Sequence, residues 1–287
     1  MSAMIALLLV LSTLSGCAGE TLTSVKNALP SAPAAVTLMV ELEAYEDTVQ
    51  AENGAVLAEC SYELPVMRVL LEDGTVLGGD PASPEQERAL TMAETFNTRF
   101  DQWKSNLQIL AEMAKEDQSF RNEMGLESAA YTDDLYCTVY QSDHLVSISG
   151  LYSTYTGGAH PNSILMSWNF DLDVGEFFEP ELLDEGGDFR TFVQKELTLQ
   201  VREMAAEMGI IPEDFYWEDY EDTLAEWSSY AVSFNEEGMT VGFSPYELAS
   251  YAAGPQVFQI SYERLSPHLG EHGRALLGLV DVEAFAN

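Results

Sequence analysis

The chain has 287 residues, 46% of them apolar, which is enough for a real core in one large domain or two small ones. Twelve Lys and Arg stand against 48 Asp and Glu, a formal net charge of -36 at pH 7. That field repels nucleic acid and anionic lipid surfaces and favours cationic partners, although the same acidity would also keep a surface hydrated in a saline habitat.

Residues 1–16 are apolar and small, and Leu14-Ser15-Gly16-Cys17 fits the lipobox of a lipoprotein signal peptide. The apolar run from Ile5 to Leu11 is too short to span a bilayer but suits a signal sequence. No Lys or Arg precedes it, which departs from the usual pattern. Cys17 is therefore expected to be lipidated and to anchor the chain to a membrane. Ala18, in place of Asp, points to the outer membrane facing the periplasm. Residues 17–35, rich in Ser, Thr and Pro without periodicity, read as a tether.

A single α+β domain is expected over 36–287. Leu38 to Ala44 alternate as a first strand, and Val56 to Tyr62 and Val66 to Leu71 give two more. Ser83-Pro84-Glu85-Gln86 carries a capping serine, a first-turn proline and a capping-box glutamine. The following stripe, including Phe96, Phe100, Trp103, Leu107 and Leu110, predicts one long helix over about 84–118.

Cys60 and Cys137 lie in strand-like segments and are the thiols left once Cys17 is lipidated. An oxidising compartment makes one disulfide the economical expectation, contributing about 4 kcal/mol in the loop-entropy account. A redox or nucleophilic pair would need a CxxC spacing or a neighbouring base, and neither is present.

His144 to Tyr155 alternates Val146, Ile148 and Tyr152 with Ser147, Ser149 and Ser153, and Ile164 to Leu172 alternates likewise. The two runs read as a hairpin closed by Tyr155-Thr156-Gly157-Gly158-Ala159-His160-Pro161. Glycine tolerates positive φ and Pro161 restricts His160, so this backbone is sharply specified. The imidazole there can pin the loop, bind metal or move protons.

Asp188 is expected to cap a second long helix through Met208, ended by Gly209. An acidic, aromatic segment follows, expected to be helical, with Glu213, Asp214, Glu218, Asp219, Glu221 and Asp222 crowded together. No Lys or Arg occurs between Met204 and Glu263. Tyr230 to Phe234 and Met239 to Phe243 predict another hairpin, and the Pro245 to Pro255 loop leads to a last strand through Tyr262.

His268-Leu269-Gly270-Glu271-His272 matches a zinc-peptidase spacing, but Pro267, Gly270 and Gly273 weaken the helix it requires. The acidic clusters at Asp171-Leu172-Asp173 and Glu218 to Asp222 lack the spacing of a calcium loop. No nucleophile elbow, P-loop or dinucleotide fingerprint is present, so no cofactor or catalytic residue is assigned.

The YTGGAHP block, then Asn169-Phe170-Asp171-Leu172, Gly175 and Glu181-Leu182-Leu183, resembles the C-terminal domain of the lysozyme-responsive anti-sigma-V factor. A second block agrees, from Phe243 to Pro255 and the strand after it. That domain family, formally of unknown function, also occurs in bacterial lipoproteins and beside peptidoglycan deacetylases. The similarity covers about 36–266, with a core of about 134–266. It implies a mixed or antiparallel sheet of several hairpins packed against two long helices. It also implies a non-enzymatic binding domain for lysozyme-type muramidases or a peptidoglycan-related ligand. The binding residues it points to are Tyr155, Gly157, Gly158 and His160 in one loop and Pro245, Tyr246, Tyr251, Gly254 and Pro255 in the other. A metal-dependent envelope hydrolase using His160 or His268 and His272, or a structural acidic lipoprotein, would be the alternatives.

Overall fold

Period-two patterning gives the two longest strands, β1 (Val36–Gln50) and β2 (Val56–Leu71), paired antiparallel along their length. A computed structural model describes residues 36–125, 129–184 and 188–279; the expected signal peptide, Cys17 and the tether lie outside these. The two strands expected at Val56–Tyr62 and Val66–Leu71 are one, because Pro65 falls where its missing N–H costs nothing. Only Ala58 to Tyr62 of β2 pair with β3 (Tyr131–Gln141), so beyond Tyr62 that edge is open. There the Asn97 side chain takes the place of a strand, accepting from Met67 N at 2.7 Å and donating to Met67 O at 3.0 Å.

β2 and β3 run parallel, and parallel neighbours need a crossover connection. The crossover contains α1 (Pro84–Asp101) and α2 (Asn106–Glu123). Ser83 caps α1, accepting from Gln86 N, while the Gln86 side chain reaches back to Ala82 N at 2.7 Å. The single helix expected over about 84–118 is thus two, separated by a tightened 3-10 turn at Gln102–Ser105. The buried stripe survives this turn, since the backbone stays right-handed helical and Trp103 packs edge-on to Tyr62, Tyr152 and Trp168.

β4 (Leu145–Tyr155), β5 (Asn162–Asp171) and β6 (Glu176–Phe178) complete a six-stranded sheet in sequential order. Because side chains alternate, its two faces feed two cores. Val146, Ile148, Trp168 and Phe170 meet Phe96, Phe100 and Trp103, whereas Leu145 joins the second core. That second core is built by α3 (Phe189–Met208) and a three-stranded sheet of β7 (Ala231–Phe234), β8 (Gly238–Phe243) and β9 (Gln256–Ser261). Ser147 stitches the layers, donating to Asn169 Oδ1 at 2.7 Å and accepting from Phe234 N at 2.8 Å. The architecture is α+β, as the patterning predicts.

Gly209 ends α3 in the left-handed conformation at φ 72°. Its expected cap, Asp188, makes no capping bond; Asp184 accepts from Phe189 N at 3.2 Å instead. The acidic segment is helical only in pieces, with 3-10 turns at Pro212–Asp214 and Trp227–Ser229 around α4 (Tyr220–Ala225).

The expected disulfide does not form: Cys60 and Cys137 are free and buried. Cys60 stands level with Asp133 across the parallel pair, and Cys137 lies four residues further along β3. At about 3.3 Å per residue that offset is roughly 13 Å, twice the reach of a disulfide. Oxidising surroundings cannot join thiols held apart by strand register.

Candidate functional site

The two loops singled out in the sequence, about 85 residues apart, meet at one end of the six-stranded sheet. The first closes β4 and β5; the second joins β8 to β9. His160 stacks on Tyr251 with centroids 3.7 Å apart and planes 20° apart, and its Nε2 lies 3.2 Å from Tyr246 Oη. Pro161 O accepts from His160 Nδ1 at 2.9 Å and from the Tyr251 hydroxyl at 3.0 Å. A carbonyl can only accept, so in the neutral imidazole Nδ1 carries the hydrogen and Nε2 receives the Tyr246 hydroxyl.

The second loop is held by polar groups of its own. Ser244 Oγ accepts from Leu165 N of β5 at 3.1 Å, and Ser244 N donates to the Glu247 carboxylate. Burial pushes the Glu247 carboxyl above its ordinary range, opposed by those Ser244 contacts. Tyr246 has φ 75°, the one positive value outside glycine among the described residues. Left-handed backbone costs a residue with a Cβ about 1–2 kcal/mol, so surrounding contacts must impose it. Trp217 Nε1 donates to Tyr246 O at 2.9 Å, and Trp217 N donates to Leu248 O at 2.9 Å.

Tyr246 and Trp217 are 54% and 41% exposed, so the cluster presents aromatic surface to solvent. Exposed Glu218 and Asp219 follow Trp217 directly. The patch therefore combines rigid rings with carboxylates.

The remaining expected residues divide. Gly157, at φ 85°, turns toward the helical layer; its carbonyl accepts from Arg121 Nη2 of α2 at 3.3 Å, and a Cβ there would stand 2.8 Å from that nitrogen. Tyr155 ends β4 opposite Thr132 and is half-buried; Gly158 is exposed. Pro245 sets up the Tyr246 turn. Gly254, at φ 71°, and exposed Pro255 close the far end of the second loop, where Gly254 O accepts from Gln256 Nε2 at 3.2 Å. No ring contact or hydrogen bond among the described residues joins these two to His160. Trp217 was not singled out in the sequence; a tryptophan beside acidic residues was the available signal, hidden in an acidic, aromatic run expected to be helical.

His268 and His272 turn to different carboxylates. His268 lies flat on Phe192 with its Nδ1 3.0 Å from Asp188, while His272 Nε2 lies 3.4 Å from buried Asp171. Asp171 Oδ1 accepts from Asp173 N at 2.8 Å and Val174 N at 3.2 Å, which builds the turn into β6. His144 pairs with Asp173 at 2.9 Å. Among the described residues no three His, Cys, Asp or Glu side chains are grouped to hold a metal ion.

Residues 180–263 match a family described as "Protein of unknown function (DUF3298)". That match covers 84 of the 287 residues, so the likeness to the family rests on this segment. The match holds the Pro245 to Pro255 loop and Trp217, and leaves out the Tyr155 to Pro161 loop. The crystal structure of a DUF3298 family member from Bacteroides fragilis aligns over 86% of this chain and 98% of its own, with a TM-score of 0.57 and 13% identity. That likeness is one of fold. A DUF3298 family protein from Pseudomonas aeruginosa aligns over 82% of this chain and 95% of its own, with a TM-score of 0.43 and 18% identity. No curated protein matches the chain.

Proposed function

We propose that this chain is a lipid-anchored envelope protein whose domain binds a cationic protein partner without catalysis. The aromatic patch at Tyr246, Tyr251, His160 and Trp217 is the contact surface. One observation carries this reading: two loops far apart in sequence converge to hold an exposed tyrosine in a strained backbone conformation. Such strain persists only where surrounding contacts over-determine it, and it concentrates at ligand-contacting positions. Rigid aromatics make large contacts at small entropic cost.

The chain's charge of -36 steers basic partners toward it and anionic ones away. Within that class, the resemblance to the lysozyme-responsive anti-sigma-V domain favours a lysozyme-type muramidase, since lysozymes of the chicken type are basic. Cys17, as the lipidated residue, would hold the domain at the outer membrane facing the periplasm.

The test is binding of the chain from Val36 onward to chicken-type lysozyme at low and high salt, with an unrelated protein of similar basicity as control. Tight binding that resists salt, that the control lacks, and that Trp217→Ala weakens supports the proposal. Binding that merely tracks charge, or that Trp217→Ala leaves intact, overturns it.

A further inference from the structure

A second surface lies on α2, in the layer opposite the β7–β9 sheet. Ile109, Met113, Phe120 and Met124 recur at spacings of four, seven and four, which places them along one line of a 3.6-residue helix. They are 63%, 51%, 59% and 63% exposed. The helix meanwhile buries Leu107, Leu110, Ala111 and Ala114 on another face, so the exposed line is not a displaced core stripe.

Charge beside the line is mostly acidic, with exposed Lys115 lying behind the glutamate edge. Exposed Glu112, Glu116 and Glu123 run along one edge at spacings of four and seven, in register with the apolar side chains. On the other edge Asp117 is neutralised by Arg121, whose Nε lies 2.6 Å away. An occupant must therefore cover an apolar strip about 22 Å long, at 1.5 Å per residue, and bring positive charge to one side of it. Anionic bilayers and nucleic acid fail the second requirement.

We propose that α2 docks a cationic amphipathic helix of a partner protein, laid along Ile109 to Met124 with Lys or Arg side chains against Glu112, Glu116 and Glu123. A helix matches the strip in length and straightness, and two helices crossing at a shallow angle stay in contact over several turns. Methionines let the strip adapt to differently shaped apolar faces. This surface is distinct from the aromatic patch and does not depend on it.

The test uses the full chain and a labelled synthetic 18-residue helix of Leu and Lys patterned with one apolar face, followed by fluorescence anisotropy. A scrambled peptide of identical composition is the control. The expected result is binding of the patterned peptide alone, weakened about tenfold or more by Met113→Glu or Phe120→Glu, each an exposed position where the fold tolerates charge. Glu112→Gln, Glu116→Gln and Glu123→Gln together should weaken it several-fold and reduce its salt dependence. Tyr246→Gly should leave it unchanged, separating this surface from the patch. Equal binding of the scrambled peptide, or indifference to the α2 substitutions, would overturn the proposal. Self-association abolished by Met113→Glu, or docking on phosphatidylcholine vesicles in place of the peptide, would assign the strip to another occupant and overturn it equally.

Discussion

The imidazole of His160 lies flat on the ring of Tyr251, and both donate to one carbonyl, that of Pro161. Stacking and hydrogen bonding are therefore separable at Tyr251. Tyr251→Phe keeps the stack and loses one hydrogen bond, at a cost of about 0.5–1.5 kcal/mol. Tyr251→Ala loses both and should cost measurably more in urea unfolding. Equal losses would show that the stack contributes nothing.

Tyr246 separates strain from recognition. Glycine adopts φ 75° freely, so Tyr246→Gly should fold at least as stably as the parent while binding the partner less well. Tyr246→Val keeps the strain, adds β-branching and gives up the His160 contact, and should be less stable than the glycine variant by about 1–2 kcal/mol. Thermal melts of the two variants side by side decide this.

Gly238 opens β8 where it passes the backbone of β9. A Cβ there would stand 2.1 Å from Ile260 O, an atom that cannot move without parting the strands. Gly238→Ala should cost more than about 2 kcal/mol and loosen the hairpin. Faster amide exchange in β8 and β9 than in β4 and β5 would show it.

Arg264 covers a buried charge. Glu196 is 3% exposed and pairs with Arg264, itself half-exposed, and with Gln200 Nε2 at 3.2 Å. Arg264→Ala leaves that carboxylate short of a partner, costing about 2 kcal/mol. Adding Glu196→Leu should restore most of the loss, and a double-substitution cycle measures the coupling.

Burial, with the nearby Glu63 carboxylate, pushes the Cys137 thiol from 9.0 up to about 12. An unfolded chain releases this proton near 9 and the folded chain holds it to about 12. The folded state therefore binds more protons in that window, and the stability present below 9 is lost as pH rises toward 12. Tyr62, raised first by burial and then by its bond to Asp133, acts in the same direction. Unfolding free energies at about pH 8 and pH 10.5 should fall less for Cys137→Ala than for the parent. Added reductant should not change the melting temperature at neutral pH, because Cys60 and Cys137 are free thiols.

Much of the fold was legible because hydrophobic period reports local conformation directly. The β4–β5 hairpin, α3 with its Gly209 stop, and the β7–β8 hairpin follow from alternation and caps. The candidate site was half legible. His160 stood out through glycine and proline punctuation, and Tyr246 and Tyr251 through the resemblance of their block to the anti-sigma-V domain, but their meeting did not, nor did the part played by Trp217. The acidic, aromatic run around Trp217 was expected to be helical, and its irregular path is set by the bonds to Tyr246 O and Leu248 O.

What the sequence determined by itself was each element's period, its caps and the overall charge, since these depend on neighbours a few residues apart. Tertiary structure alone decided the parallel β2–β3 register that keeps Cys60 from Cys137, the open edge that accommodates Pro65, and the left-handed Tyr246 pressed toward His160. Each depends on groups tens of residues apart, whose distance is fixed only when a crossover or a packed layer closes, and no local pattern encodes that closure.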